Sequence, residues 1–193
     1  MRQNSSENYA RQDLSIDRQE LTVNETAQKL MDLAEAHIRH AGYRGFSFRD
    51  LAAELGIKSA SVHHHFPTKA SLAAAVVRRY GDRFLATVAS RPNETEDDAI
   101  SAYRSAFRKA LERDGRMCLC GVLGAEAGVL TPEVVEEIQS FFRGCIDDLT
   151  QRIGGPEAEA RAFHVMATLE GGMMLARAYR DIGAFDQAVA SLT

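Results

Sequence analysis

Two stretches of the chain hold side chains that could do chemistry. Ser47 to Lys69, SFRDLAAELGIKSASVHHHFPTK, gathers hydroxyls, imidazoles and cations, and residues 116–121, RMCLCG, place two thiols two apart beside Arg113 and Arg116. Three adjacent histidines first suggest a metal. Consecutive helical residues project about 100° apart, so His63, His64 and His65 cannot converge on one ion, and neither metal nor cofactor is expected. The sequence has no GxSxG elbow, HExxH helix or phosphate-binding glycine loop, so no enzyme is expected either. Small hydroxyls and imidazoles can, however, reach phosphates and base edges without clashing. A thiol such as Cys118, at what reads as a helix start near arginines, has a lowered pKa and can present a thiolate to electrophiles or oxidants; a small buried hydrophobe is the ordinary alternative.

The elements around the first stretch are legible locally. Ser47 with Asp50 three residues later reads as a cap, Leu51, Ala52 and Leu55 give a short apolar face, and Gly56 allows a left-handed exit. A second short helix is expected from about Ser59 to Phe66, with Val62 and Phe66 packed inward and Ser59, Ser61, His63, His64 and His65 outward or at the edges. Pro67 stops it, and Thr68-Lys69 opens the next helix with an amine suited to a phosphate. Two short helices joined by a glycine-bearing turn are the helix-turn-helix pattern, whose second helix enters a DNA major groove. The candidate DNA-contact set is therefore Ser47, Arg49, Lys58, Ser59, Ser61, His63, His64, His65 and Lys69.

Elsewhere apolar residues recur at helical spacing and none alternate as in a strand. Ala27, Leu30, Met31, Ala34 and Ile38 form a first stripe behind a Thr22/Glu25 capping box, and Thr131-Pro-Glu opens a long helix that runs to Gly154-Gly155. The class is all-α with about nine helices: a polar arm over 1–23, a helix-turn-helix domain over 24–70 and a helical body over 71–193. The net charge of −4 divides unevenly, with residues 24–90 at +3 and residues 91–193 at −6, as for a nucleic-acid module on an acidic body. No apolar run approaches the ~20 residues of a membrane span and no secretory h-region is seen, so a cytoplasmic chain with reduced thiols is expected, without a membrane partner. In the body, Tyr103, Phe107, Cys118, Phe141, Phe142 and Met166 are candidates to line a small-molecule pocket, although such stripes are more often core. His164 and Glu170 could orient a polar ligand or be satisfied core groups. Leu169, Gly172, Met173 and Ala176 are candidates for a homodimer interface.

Gly42-Tyr43, Phe46-Ser47, Leu51-Ala52, Gly56-Ile57, Ser61-Val62, His65-Phe66 and Thr68-Lys69-Ala-Ser-Leu72 resemble, in order and spacing, the N-terminal domain of tetracycline-repressor-like (TetR family) transcriptional regulators. The likeness covers roughly 24–90, and Leu169-Glu-Gly-Gly172, Leu175-Ala-Arg177 and Phe185-Asp-Gln-Ala188 resemble the family's last two helices. It implies a ligand-responsive regulator, a repressor by expectation, that binds a palindromic DNA operator as a homodimer and is released by a small-molecule inducer. His63 and His64 depart from the family, which more often has aromatic residues there, commonly tyrosine. Cys118-Leu119-Cys120-Gly121, with Leu123 and Glu126, resembles electrophile-sensing members such as repressors of N-ethylmaleimide reductase, and Cys118 matches their sensor position, so the inducer could be thiol-reactive. A helical protein-interaction module without specific DNA binding is the rival reading.

Overall fold

The computed structural model describes residues 25–192, and among them every regular element is helical, in the all-α class expected. The arm over 1–23 and the Thr22 cap lie outside the described residues. The elements are α1 (25–41), α2 (Phe48–Leu55), α3 (Ser59–His65), α4 (Lys69–Val88), α5 (Glu96–Asp114), α6 (Leu119–Ala125), α7 (Pro132–Ile153), α8 (Ala158–Tyr179) and α9 (Gly183–Ala188). One 3-10 turn, Tyr43–Gly45, joins α1 to α2, and another, Ala127–Val129, follows α6.

Local chemistry sets the boundaries. Ser47 and Asp50 form a reciprocal capping box on α2, as Thr68 and Ser71 do on α4 and Thr95 and Asp98 on α5. Each pair satisfies two of the four amides that a helix start leaves orphaned. Gly56 ends α2 at φ 66°, a left-handed conformation that a β-carbon would strain. The turn into α3 follows at once.

Packing divides the chain into a small unit and a large one. Leu30, Ala34 and Ile38 of α1 close with Leu51, Ala52 and Val62 over the small core. In the body α4 lies along α7, α7 along α8, and α8 against α9. Phe84 of α4 is an aromatic hub, its ring centroid 5.6 Å from Tyr103, 5.5 Å from Phe107 and 5.5 Å from Phe141. A buried polar network stands behind it: the Arg152 guanidinium bonds Glu94 at 2.6 Å, Asp148 at 2.8 Å and the Val88 carbonyl at 2.7 Å, and the Tyr103 hydroxyl donates to Asp148 at 2.8 Å. That network clamps the end of α4 to α7 and α5.

Candidate nucleic-acid interface and body cavity

Burial of Val62 fixes the rotation of α3 and leaves Lys58, Ser59, His63 and His64 exposed, with Arg49 exposed on α2 and Ser61 half-buried. These six form a small polar and cationic surface around the helix-turn-helix. The other three expected contacts are engaged or partly covered within the unit. The Ser47 hydroxyl donates to the Asp50 carboxylate at 2.6 Å and caps α2. His65 is half-buried, and burial, followed by the neighbouring His64, lowers its pKa and favours the neutral ring. The Lys69 ammonium donates to the Phe46 carbonyl at 2.6 Å and sits 4.6 Å and 4.4 Å over the rings of Tyr43 and Phe46. Burial lowers its pKa, and the amine pins the first turn of α4 to the loop entering α2. His63, though exposed, rests edge-on against Phe48 at 4.8 Å with its Nδ1 3.4 Å from the Pro67 carbonyl, which orients the ring.

The body holds a cavity of about 680 Å³ between α1, α4, α5, α6 and α8. Tyr80, Phe84, Phe107 and Met173 line it, Cys118 lies on its wall, and Arg39, Arg83, Lys109 and Arg113 outnumber Glu35 and Glu112 among its charged groups. Of the residues expected to line a pocket, Phe107 and Cys118 do so. Tyr103, Phe141, Phe142 and Met166 lie off this cavity; Tyr103 has its hydroxyl satisfied by Asp148, and Phe141 fills the space beside Tyr80 and Phe84. Sequence reasoning missed Tyr80 and Phe84, whose signal was the spacing of four and then three residues along α4 from Tyr80 through Phe84 to Thr87.

Cys118 is the N-cap of α6 and only 1% exposed. Burial pushes its thiol up, but hydrogen bonding from Cys120, the Gly121 amide, Glu170 and Tyr80 more than offsets this, and the pKa comes down to about 6. Burial foremost drives the thiols of Cys120 and Cys145 the other way, well above their ordinary value. All three cysteines, Cys118, Cys120 and Cys145, are free and buried.

Both ends of α6 are tied to α1 and the turn that follows it. Arg39 of α1 donates to the Met117 carbonyl at 2.8 Å and to the Arg116 carbonyl at 3.3 Å, immediately before Cys118. Glu126, at the other end of α6, accepts from the Tyr43 amide at 3.1 Å. Arg177 of α8 in turn donates to the carbonyls of Arg39 and His40 at 3.1 Å and 2.8 Å, capping the end of α1. The wall of the cavity is thus hydrogen-bonded directly to the small unit.

On α8, the four residues expected at a dimer interface face inward. Leu169 and Met173 are fully buried, Ala176 is buried, and Gly172 lets the Phe185 ring of α9 approach so closely that a β-carbon would meet it at 3.0 Å. The same helix exposes Phe163 (58%), Met174 (62%), Leu175 (46%) and Tyr179 (73%) on its other side.

A helix-turn-helix with an exposed polar second helix, joined to an all-helical body, defines a DNA-binding regulator. Residues 30–76 match the family model described as bacterial regulatory proteins, tetR family. A TetR-family transcriptional regulator from Agrobacterium tumefaciens is similar with a TM-score of 0.82 and 28% identity, covering 88% of this chain and 96% of its own. A TetR transcriptional regulator from Legionella pneumophila gives 0.78 and 27%, covering 83% and 91%. The reduced form of E. coli NemR, at 21% identity, TM-score 0.75 and coverage of 88% and 95%, shares the fold. No curated protein sequence matches. Residues 30–76 thus match the tetR family's model, and the chain as a whole resembles TetR-family transcriptional regulators. Among the described residues no helix is long and apolar enough to cross a membrane, and no group of three His, Cys, Asp or Glu side chains is placed to hold a metal ion.

Proposed function

We propose that this regulator is a repressor that binds a palindromic operator as a homodimer and releases it when a small molecule enters the body cavity, with Cys118 as the sensing thiol. The observation that carries the reading is the position of α6: its N-cap, Cys118, is part of the cavity wall, and hydrogen bonds to Arg39 and Tyr43 bracket it against the DNA-binding unit. A ligand that displaces Cys118 pulls on the Met117 carbonyl and therefore on α1. Because α4 also lines the cavity and begins beside α3, the same displacement tilts the reading head. Release follows if the ligand prefers the displaced arrangement.

Arg49, Lys58, Ser59, Ser61, His63 and His64 carry the DNA contacts in this reading, while Ser47, His65 and Lys69 hold the unit in shape. The aromatic wall and the excess of cationic side chains suit a flat apolar inducer with an anionic or carbonyl oxygen. The exposed stripe of Phe163, Met174, Leu175 and Tyr179 supplies the dimer contact, and pairing is a mechanical requirement for reading half-sites ~34–36 Å apart. The test is fluorescence anisotropy with the DNA upstream of the protein's own gene. Binding is expected to be lost on adding a thiol reagent to the wild type, whereas Cys118→Ser binds within about threefold of the wild type and holds on. Release of Cys118→Ser by the reagent would remove the sensing role.

A further inference from the structure

Beside the Cys118 sulfur, and outside the lining of the cavity, lies a carboxyl group that the DNA-binding mechanism does not use. Both oxygens of Glu170 are buried, no oxygen or nitrogen atom among the described residues hydrogen-bonds them, and they face the Cys118 sulfur. The carboxyl packs so closely on the first turn of α6 that a β-carbon at Gly121 would collide with it. An ionised carboxylate without partners in such a place would bear a desolvation cost that a neutral acid avoids. The groups around it are Cys118 and Cys120 of α6, Tyr80 of α4, Cys145 of α7 and, through Tyr80, Arg39 of α1.

We infer that Glu170 is the positioning residue for Cys118: as a neutral carboxyl against the sulfur, it donates its own proton in a hydrogen bond to the thiolate. The inference rests on the sensing role proposed for Cys118. In the step itself the S–H bond breaks, its proton leaves to water, and the sulfur keeps the electron pair, stabilised by the O–H of a Glu170 carboxyl that is already protonated. The site then carries one negative charge, shared by the thiolate and the acid that donates to it. The Tyr80 hydroxyl and the Cys120 thiol, both pushed well up by burial, stay protonated and are further donors to the same sulfur. Burial, then the nearby sulfur, likewise holds the Glu170 carboxyl far above the usual carboxylate range. A fully buried thiol thereby becomes nucleophilic at the one wall of the cavity where a ligand can meet it.

The probe is iodoacetamide on the full-length protein, with alkylation of Cys118 followed by peptide mass between pH 5 and 9; a C–S bond forms and iodide leaves. The wild-type rate should rise with a midpoint near pH 6, the value to which the thiol is brought. Glu170→Leu removes the donor and should move the midpoint up by about one to two pH units, slowing the reaction about 5- to 50-fold at pH 6. Glu170→Gln keeps the size and a weaker donor, so it folds with the wild type and moves the midpoint the same way by less. In infrared spectra at neutral pH the wild type should show a buried protonated carboxyl band that Glu170→Gln lacks. A midpoint unmoved or lowered in both folded variants, or no such band, overturns the inference while leaving the sensing role standing. No alkylation of wild-type Cys118 at any pH overturns both.

Discussion

The small unit and the body solve opposite problems with the same helices. In α2 and α3 the chemistry faces outward: Lys58, Ser59, His63 and His64 are exposed, and what positions them is local, a capping box, a left-handed glycine and one buried valine. In the body the chemistry faces inward. Cys118, Tyr80 and Glu170 in one place, and the Arg152 network in another, draw on α4, α5, α6, α7 and α8, and apart from the Arg152–Asp148 pair on α7 their partners are distant in sequence. A reading surface needs solvent and a polyanion to act, whereas a sensor needs a dry site in which a single proton or adduct changes the energy. The tie between them is a handful of hydrogen bonds from α1 to the two ends of α6.

The sharpest way to break this contrast is to remove a buried group that the body depends on. Arg152→Ala leaves Glu94 and Asp148 without their cation in a site where all three side chains are largely buried, and should lower stability by about 3–5 kcal/mol in urea titrations. The folded fraction should still bind operator DNA, because the network does not touch α2 or α3. A loss below about 1 kcal/mol would place this network among surface pairs and undo the account of the body as a buried machine. In the outward-facing unit the corresponding test changes preference and not stability. Substituting Ser59 or Ser61 should alter discrimination at one base pair by about 1–3 kcal/mol, measured by competition among operator variants, with the melting temperature nearly unchanged. Equal weakening on every sequence would relegate these hydroxyls to phosphates.

What was legible in the sequence follows the same division. The α2 cap at Ser47, the exit at Gly56, the inward Val62 and the start of α4 at Thr68 all depend on residues within four positions of one another, and each appears in the structure where the spacing puts it. The helical class and the Pro132 start of α7 were legible for the same reason. The lining of the cavity was not. Tyr103 and Phe141 share the helical spacing of pocket residues, yet which aromatic faces the void and which fills the core is decided by the rotation of α4 against α5 and α7, and that is a property of the packed whole. On α8 the hydrophobic residues run almost all round the helix, so spacing could not separate Leu169 and Met173, which pack inward, from Phe163 and Met174, which are exposed. From the sequence Lys69 reads only as an amine suited to a phosphate, because its acceptor in the structure, the Phe46 carbonyl, lies 23 residues back.

Smaller effects test the local devices. Ser47→Ala removes the hydroxyl that caps α2 and should cost about 1 kcal/mol in the small unit. Acid should reach the same cap by titrating its partner: the side-chain hydrogen bond from Ser47 holds the Asp50 carboxyl below the usual aspartate range. A folded pKa below the unfolded one gives stability that is present above the ordinary aspartate value, about pH 4, and is lost as pH falls through the folded value. Acid melting curves should therefore show that Asp50→Asn loses the part of this dependence that the cap contributes, and coincidence of the two curves would assign the acid sensitivity elsewhere.

The finest distinction separates two lysines that the sequence treats alike. Lys58 is exposed ahead of α3, while the Lys69 ammonium is held by the Phe46 carbonyl and two rings. A cation that neutralises a phosphate releases a counterion on binding, so its removal flattens the dependence of log affinity on log salt by about one. Lys58→Ala should do this, with the melting temperature little changed. Lys69→Ala should instead leave the slope almost intact and lower the melting temperature of the small unit, because the turn joining α1 to α2 loses its anchor to α4. If Lys69→Ala flattened the slope by one and left the melting temperature alone, the amine would have to leave its carbonyl for a phosphate on binding, and the outward chemistry of this unit would extend one helix further than its free geometry indicates.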